Sequence, residues 1–213
     1  MKKLLIIIFA LLSFSAFSQT ENTCFPSTRP GISMGVYPVG LDNSSLEFGF
    51  MFDKHNIPIQ NVSYSVNFIK NLQFVECVSK IGPDINNISM LKYTISLNSK
   101  ILPDIAFLGS YSKDYGSLAL LAQKSFGSVT LIGNYTLDNY KHDLYSFCAG
   151  YNITNDLIFS AEVFGSSTIS TKYTSGDAGL FYFLNKNLGI DFSIYYNNFK
   201  TYSINTGISF RFK

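Results

Sequence analysis

Tryptophan is absent from this chain of 213 residues, and cysteine, histidine and proline are scarce, at three, two and six. Each shortage removes a class of protein. Cys24, Cys77 and Cys148 form an odd, widely spaced set with no Cys-x-x-Cys pair, so neither a disulfide framework nor a zinc or redox motif is present. His55 and His142 fall in expected loops, without a serine and a carboxylate spaced to suggest a triad. Charge is low, at 14% of residues, with 16 basic against 14 acidic side chains. No glycine-rich phosphate loop or metal cluster occurs, so no cofactor is expected.

Long apolar runs are also missing, with one exception at the start. Lys2-Lys3, the apolar run Leu4 to Leu12 and the small-x-small triplet Ala16-Phe17-Ser18 read as a secretory leader over 1–18, removed after Ser18. Beyond it no stretch approaches the roughly 18 to 20 apolar residues of a membrane-spanning helix. Losing Lys2 and Lys3 leaves fourteen basic residues against fourteen acidic ones, and a neutral chain gives no electrostatic case for binding nucleic acid.

What is abundant is aromatic and apolar: 20 phenylalanines and 14 tyrosines, 46% hydrophobic residues, and a positive mean hydropathy. That excludes disorder. Residues 19–43 hold Pro26, Pro30, Pro38, Gly31, Gly35 and Gly40, too many breakers for a regular element, and are expected to be irregular. From Ser44 onward the pattern has period two. Leu46, Phe48, Phe50 and Phe52 alternate with Glu47 and Gly49, and Val62, Tyr64, Val66 and Phe68 alternate with Asn61, Ser63, Ser65 and Asn67. The alternation recurs around Val129–Thr136, Tyr145–Asn152, Leu157–Val163, Leu188–Ile194 and Ser203–Phe212. Weaker blocks lie at Leu72–Lys80, Ile88–Ser96, Ile105–Ser112, Ser117–Ser125 and Asp177–Phe183, which brings the expected total to 12 strands. In the first of these Glu76 is in phase with the apolar side, which predicts a bulge or a shifted register there.

Links around Lys70-Asn71, Phe126-Gly127, Thr154–Asp156 and Asn185–Asn187 are short, whereas Lys80–Asn87, Asp138–Asp143 and Gly165–Gly176 are longer. Exported, alternating strands in this arrangement predict an all-β fold: a single 12-stranded antiparallel transmembrane β-barrel with short inner turns and longer outer loops, occupying 44–213. A secreted β-sandwich alternates too. The barrel is preferred because the polar faces are mostly Ser, Thr, Asn and Gly, and because Phe and Tyr gather near strand ends, as in interfacial girdles.

Parity puts Glu47, Lys92, Glu162, Asp191 and Arg211 on the polar faces, which a barrel turns toward its lumen. Facing lipid at the midplane, Arg or Lys would cost about 2 to 4 kcal/mol. These five are the candidate lumen-lining residues, either bridged into a filler or forming a constriction that selects solutes. Arg29, on the segment 19–43, is placed to reach the mouth and pair with one of the carboxylates, making the segment a partial plug. No catalytic and no metal-ligating residue is assigned.

Several pieces in order, Thr28-Arg29-Pro30-Gly31, Ser45–Phe50, Leu91-Lys92-Tyr93, Leu102–Ala106, Ala161–Gly165, Gly189-Ile190-Asp191 and Gly207–Phe212, resemble the outer-membrane transporter barrels grouped with the MetA-pathway phenol-degradation proteins. The chain departs from that family at Thr28, where an acidic residue is usual. The resemblance implies passage of small, aromatic or apolar molecules across a bacterial outer membrane. The expected partners are therefore outer-membrane lipid and a small solute. Two alternatives remain: a closed structural or binding barrel acting through its outer loops, and an interfacial lipid hydrolase using a histidine.

Overall fold

A computed structural model describes residues 44–52, 58–69, 71–81, 83–113, 116–139, 143–166, 173–198 and 201–212. The leader 1–18, the segment 19–43 with Arg29, and His55 and His142 lie outside the described residues. Twelve strands follow one another: β1 Ser44–Phe52, β2 Pro58–Ile69, β3 Leu72–Ile81, β4 Asp84–Ile95, β5 Asp104–Tyr111, β6 Gly116–Phe126, β7 Val129–Asp138, β8 Asp143–Asn152, β9 Leu157–Ser166, β10 Tyr173–Asn185, β11 Leu188–Asn197 and β12 Thr201–Phe212. Each pairs antiparallel with its chain neighbours, and β1 pairs with β12, so the sheet closes on itself. Closure leaves no strand edge unpaired, which is the condition for a sheet to sit in hydrocarbon.

The closing seam runs without a break from Ser44↔Phe212 to Phe52↔Ile204. Phe48 and Phe210 meet edge to face across it, with ring centroids 6.3 Å apart. Alternation turns the large apolar side chains outward: Phe107, Leu120, Phe147, Phe192 and Phe210 are all exposed. Phe68, Tyr151 and Phe212 sit near the end of the barrel where β1 begins, and Tyr111, Tyr196 and Tyr202 near the other, the positions of interfacial aromatics. The inward set is small and polar over much of the wall, including Ser45, Ser63, Ser65, Ser146, Ser160 and Ser193.

At the end carrying Ser44 and Phe212, the links 70–71, 127–128, 153–156 and 186–187 are short, and Gly127 (φ 58°) and Asn71 (φ 72°) supply the left-handed backbone that two of them require. One link there, 96–103, is long. At the opposite end the links are 53–57, 82–83, 112–115, 139–142, 167–172 and 198–200. The stretch Lys80–Asn87, expected as a long loop, is instead a continued hairpin, with Lys80 opposite Ile85 and Ile81 opposite Asp84. The β3–β4 ladder is continuous from Leu72 to Ile81, whereas the β2–β3 ladder shifts register once, between Asn67 and Ile69 where they face Gln73 and Leu72; the irregularity lies at that end and not at Glu76, which is on the outward face between Tyr64 and Ser89.

The 96–103 link is tied down by side chains. Asp104 accepts from the Leu97 amide at 2.6 Å and from the Ser96 hydroxyl at 3.3 Å, and Lys124 of β6 donates its ammonium to the carbonyls of Ser99 and, at 3.0 Å, Leu102. The alternation places Lys124 on the outward side, and the link covers it, so that it is buried although it faces away from the lumen. A charge-assisted hydrogen bond contributes about 1.5 to 3 kcal/mol, so Lys124→Met is expected to expose the link and speed tryptic cleavage after Lys100 by about tenfold. Limited proteolysis of the folded protein checks this; an unchanged rate removes Lys124 as the anchor.

Candidate functional site

The inward side chains are unevenly distributed around the barrel. Four buried carboxylates occupy one arc, Glu162 on β9, Asp177 on β10, Asp191 on β11 and, past β12, Glu47 on β1, while a fifth, Asp104, lies on the inward face of β5 at the end where it holds the 96–103 link. Opposite them, on β3 to β6, Val75, Met90, Ala106, Leu108, Ala119 and Leu121 pack into one aliphatic cluster, joined by the half-buried Cys77 and Ile88. Lys92, 2% exposed, stands in that aliphatic wall on β4, which is six strands from β10 in either direction around the ring. Strands β3 to β6 also bury Gln73, Thr94 and Gln123, so the lumen lining is richer in carboxylate on one side and mixed aliphatic and polar on the other.

Of the five residues expected to line the lumen, Glu47, Lys92, Glu162 and Asp191 are buried on the inward face, and Arg211 is half-buried, its guanidinium 5.1 Å from the centroid of the Phe183 ring. That distance suits a cation–π contact. No two of the five are cross-strand partners of one another. Glu47 is opposite Ser63 and Ser209, Lys92 opposite Gln73 and Leu108, Asp191 opposite Phe181 and Gly207, and Arg211 opposite Ser45.

The direct pairing that does occur involves a residue the sequence reading left out. Glu162 and Asp177 are cross-strand partners, and the same row continues to Cys148 on one side and Tyr195 on the other. Two like charges opposite each other on adjacent strands are destabilising. Asp177 begins one of the weak blocks, so its face was not assigned; the available signal was its separation of four residues from the inward Phe181, which keeps parity.

Aromatic rings frame this carboxylate pair. Two residues along β9 from Glu162, Phe164 stacks on Tyr195 with centroids 5.4 Å apart and an interplanar angle of 26°. Four residues along β10 from Asp177, past Gly179, is Phe181, which meets Phe183 edge to face at 4.6 Å and lies over Gly189, where a Cβ would collide with the ring. Glycine at 189 thus makes room for the ring. Among the described residues, no group of three His, Cys, Asp or Glu is arranged to hold a metal ion.

Similarity to solved structures follows the same architecture. The KdgM porin superposes with a TM-score of 0.70 at 12% identity, covering 79% of this chain and 99% of that one. This is the fold of outer-membrane porins. Omp33 of Acinetobacter baumannii gives a TM-score of 0.60 at 12% identity over 80% of this chain and 98% of its own, and the NanC porin 0.59 at 12% over 78% and 98%. A second KdgM porin structure is a complex with disordered oligogalacturonate. No protein-family model matches the chain, so the resemblance to phenol-degradation barrels has no family match behind it, and no curated protein matches either.

Proposed function

We propose that the protein is a pore of the bacterial outer membrane through which small solutes move passively down their gradients. The observation that carries this reading is the pairing of a closed twelve-stranded wall with an exterior of exposed Phe, Leu, Ile and Tyr and an interior in which serines and charged side chains are buried beside two apolar clusters. Twelve strands enclose more space than the side-chain-filled eight-stranded barrels and less than a sixteen-stranded porin. Glu47, Lys92, Glu162, Asp191 and Arg211 then serve as the constriction, where fixed charge sorts solutes by sign and size. Residues 19–43 act as a partial plug at the end where β1 begins, with Arg29 pairing to a lumen carboxylate. Bond-making chemistry has no part in this reading.

The solute is small and has an aromatic or apolar portion, which the aliphatic cluster on β3 to β6 accommodates. Oligogalacturonate, the compound found with the KdgM porin, is a chain of uronic acids and hence an anion. The acidic arc here argues for a different cargo.

Single-channel recording in planar bilayers tests the pore. Folded protein is expected to conduct, and removal of residues 19–43 to raise the conductance. Silence from folded protein, with and without that segment, overturns the proposal and favours a closed binding barrel.

A further inference from the structure

We propose that two copies of this chain meet in the membrane across the outer wall of β3 and β4, where the Ser89 hydroxyl of each donates to the Glu76 carboxylate of the other. The contact lies outside the barrel and holds whether or not the lumen conducts.

Glu76 is the first observation. Among the described residues, the charged side chains at outward positions on the strands are Glu76, Lys80, Lys124 and Asp143. Lys80 is the next-to-last residue of β3, Asp143 opens β8, and Lys124 is covered by the 96–103 link. Glu76 alone stands halfway along its strand, fifth of the 10 residues of β3, at the depth of the hydrocarbon. Ionisable side chains at that depth almost always face the interior or pair with one another. Glu76 does neither: it is outward, half-buried, and makes no hydrogen bond or ion pair with another described residue.

Its surroundings supply the second observation. Ser89, directly opposite on β4, and Asn87, two residues along the same face, also make no side-chain hydrogen bond to a described residue. Gly109, diagonal to Ser89 on β5, carries no side chain, so a group arriving from outside can reach the hydroxyl. Val62, Val78 and Leu91, all exposed, border this polar patch. Lipid tails satisfy none of these polar groups, and each one left unmatched in hydrocarbon costs free energy.

Depth and symmetry identify the occupant. A phospholipid head group is about 15 Å away, half the thickness of the hydrocarbon core. A twofold contact sets residue i of one copy against j of the other and j against i, so a single patch must hold both the donor and the acceptor. Glu76 and Ser89 stand side by side on neighbouring strands, and a twofold axis along the membrane normal, passing between β3 and β4, exchanges them. Two charge-assisted hydrogen bonds result. A foreign partner would have to carry its own donor to this depth, whereas a second copy brings Ser89 with it.

Sedimentation equilibrium in density-matched detergent and disulfide trapping in lipid vesicles test the contact. The unaltered protein is expected to sediment as a dimer, and folded Glu76→Leu to dissociate at least about tenfold more readily. Ser89→Ala should weaken the dimer similarly, and the double variant should add little, because both substitutions remove the same bond. With Cys24, Cys77 and Cys148 replaced by serine, Asn87→Cys should cross-link to its own copy at least about tenfold faster than Phe147→Cys, which lies on β8 across the barrel. A monomeric unaltered protein overturns the proposal, and that measurement stands even where a variant fails to fold. An unchanged dimer in Glu76→Leu, or equal trapping at the two positions, overturns it as well.

Discussion

A Gly179→Val protein is expected to be less stable by about 3 kcal/mol, enough to leave much of it unfolded in a standard refolding mixture. Gly179 faces the lumen opposite Ser193. A Cβ at this position would stand 2.6 Å from the Ser193 Cβ and 2.7 Å from the Phe192 carbonyl oxygen, closer than such atoms come in real structures. One of these atoms is backbone, so the overlap cannot be relieved by a rotamer change; β10 and β11 would have to move apart and stretch their ladder. Gly133 provides the comparison, because a Cβ there meets nothing within 4 Å. Gly133→Val should change stability by less than about 0.5 kcal/mol. Urea titration of both variants in lipid vesicles, followed by the heat-dependent shift of the folded band on a gel, measures the difference, and equal midpoints would remove the steric argument.

Phe107→Arg tests the exterior in the same way. Phe107 and Leu120 are cross-strand partners halfway along β5 and β6, 52% and 47% exposed, where a closed barrel in a membrane meets hydrocarbon. Arginine at that depth costs about 2 to 4 kcal/mol, whereas near an interface the penalty falls to about 0 to 1 kcal/mol. Tyr111 closes the same strand and is more exposed still, so Tyr111→Arg is expected to be nearly silent. A gradient of this kind, read by urea unfolding from vesicles, is the signature of lipid on the outside. If the two substitutions cost the same, water surrounds the barrel and the membrane assignment fails.

The strand count and the faces of the clean blocks were legible because lipid and a polar lumen impose opposite demands on alternate residues. The blocks that were hard to read share a physical cause. On β3 to β6 the inward positions include Val75, Met90, Leu108 and Leu121 among the polar Gln73, Lys92, Thr94 and Gln123, so apolar residues fall on both faces of those strands and the period-two contrast fades. The same holds on β10, where Phe181 and Phe183 turn inward. The aliphatic side of the lumen was therefore hidden by its own composition, and Asp177 with it. Glu76 pointed to the wrong place: the ladder runs through that outward carboxylate, and the one register shift of the β2–β3 pair falls at its other end, where Asn67 and Ile69 face Gln73 and Leu72. Cross-strand partners lie far apart in sequence, so the meeting of Glu162 and Asp177 depends on the register of β9 against β10, which composition does not encode.

Joining the first strand to the last makes completion of the wall wait for the end of the sheet. Until Thr201–Phe212 is in place, β1 and β11 both present open edges, so a chain cut short by that one strand would offer them to its neighbours and aggregate rather than insert.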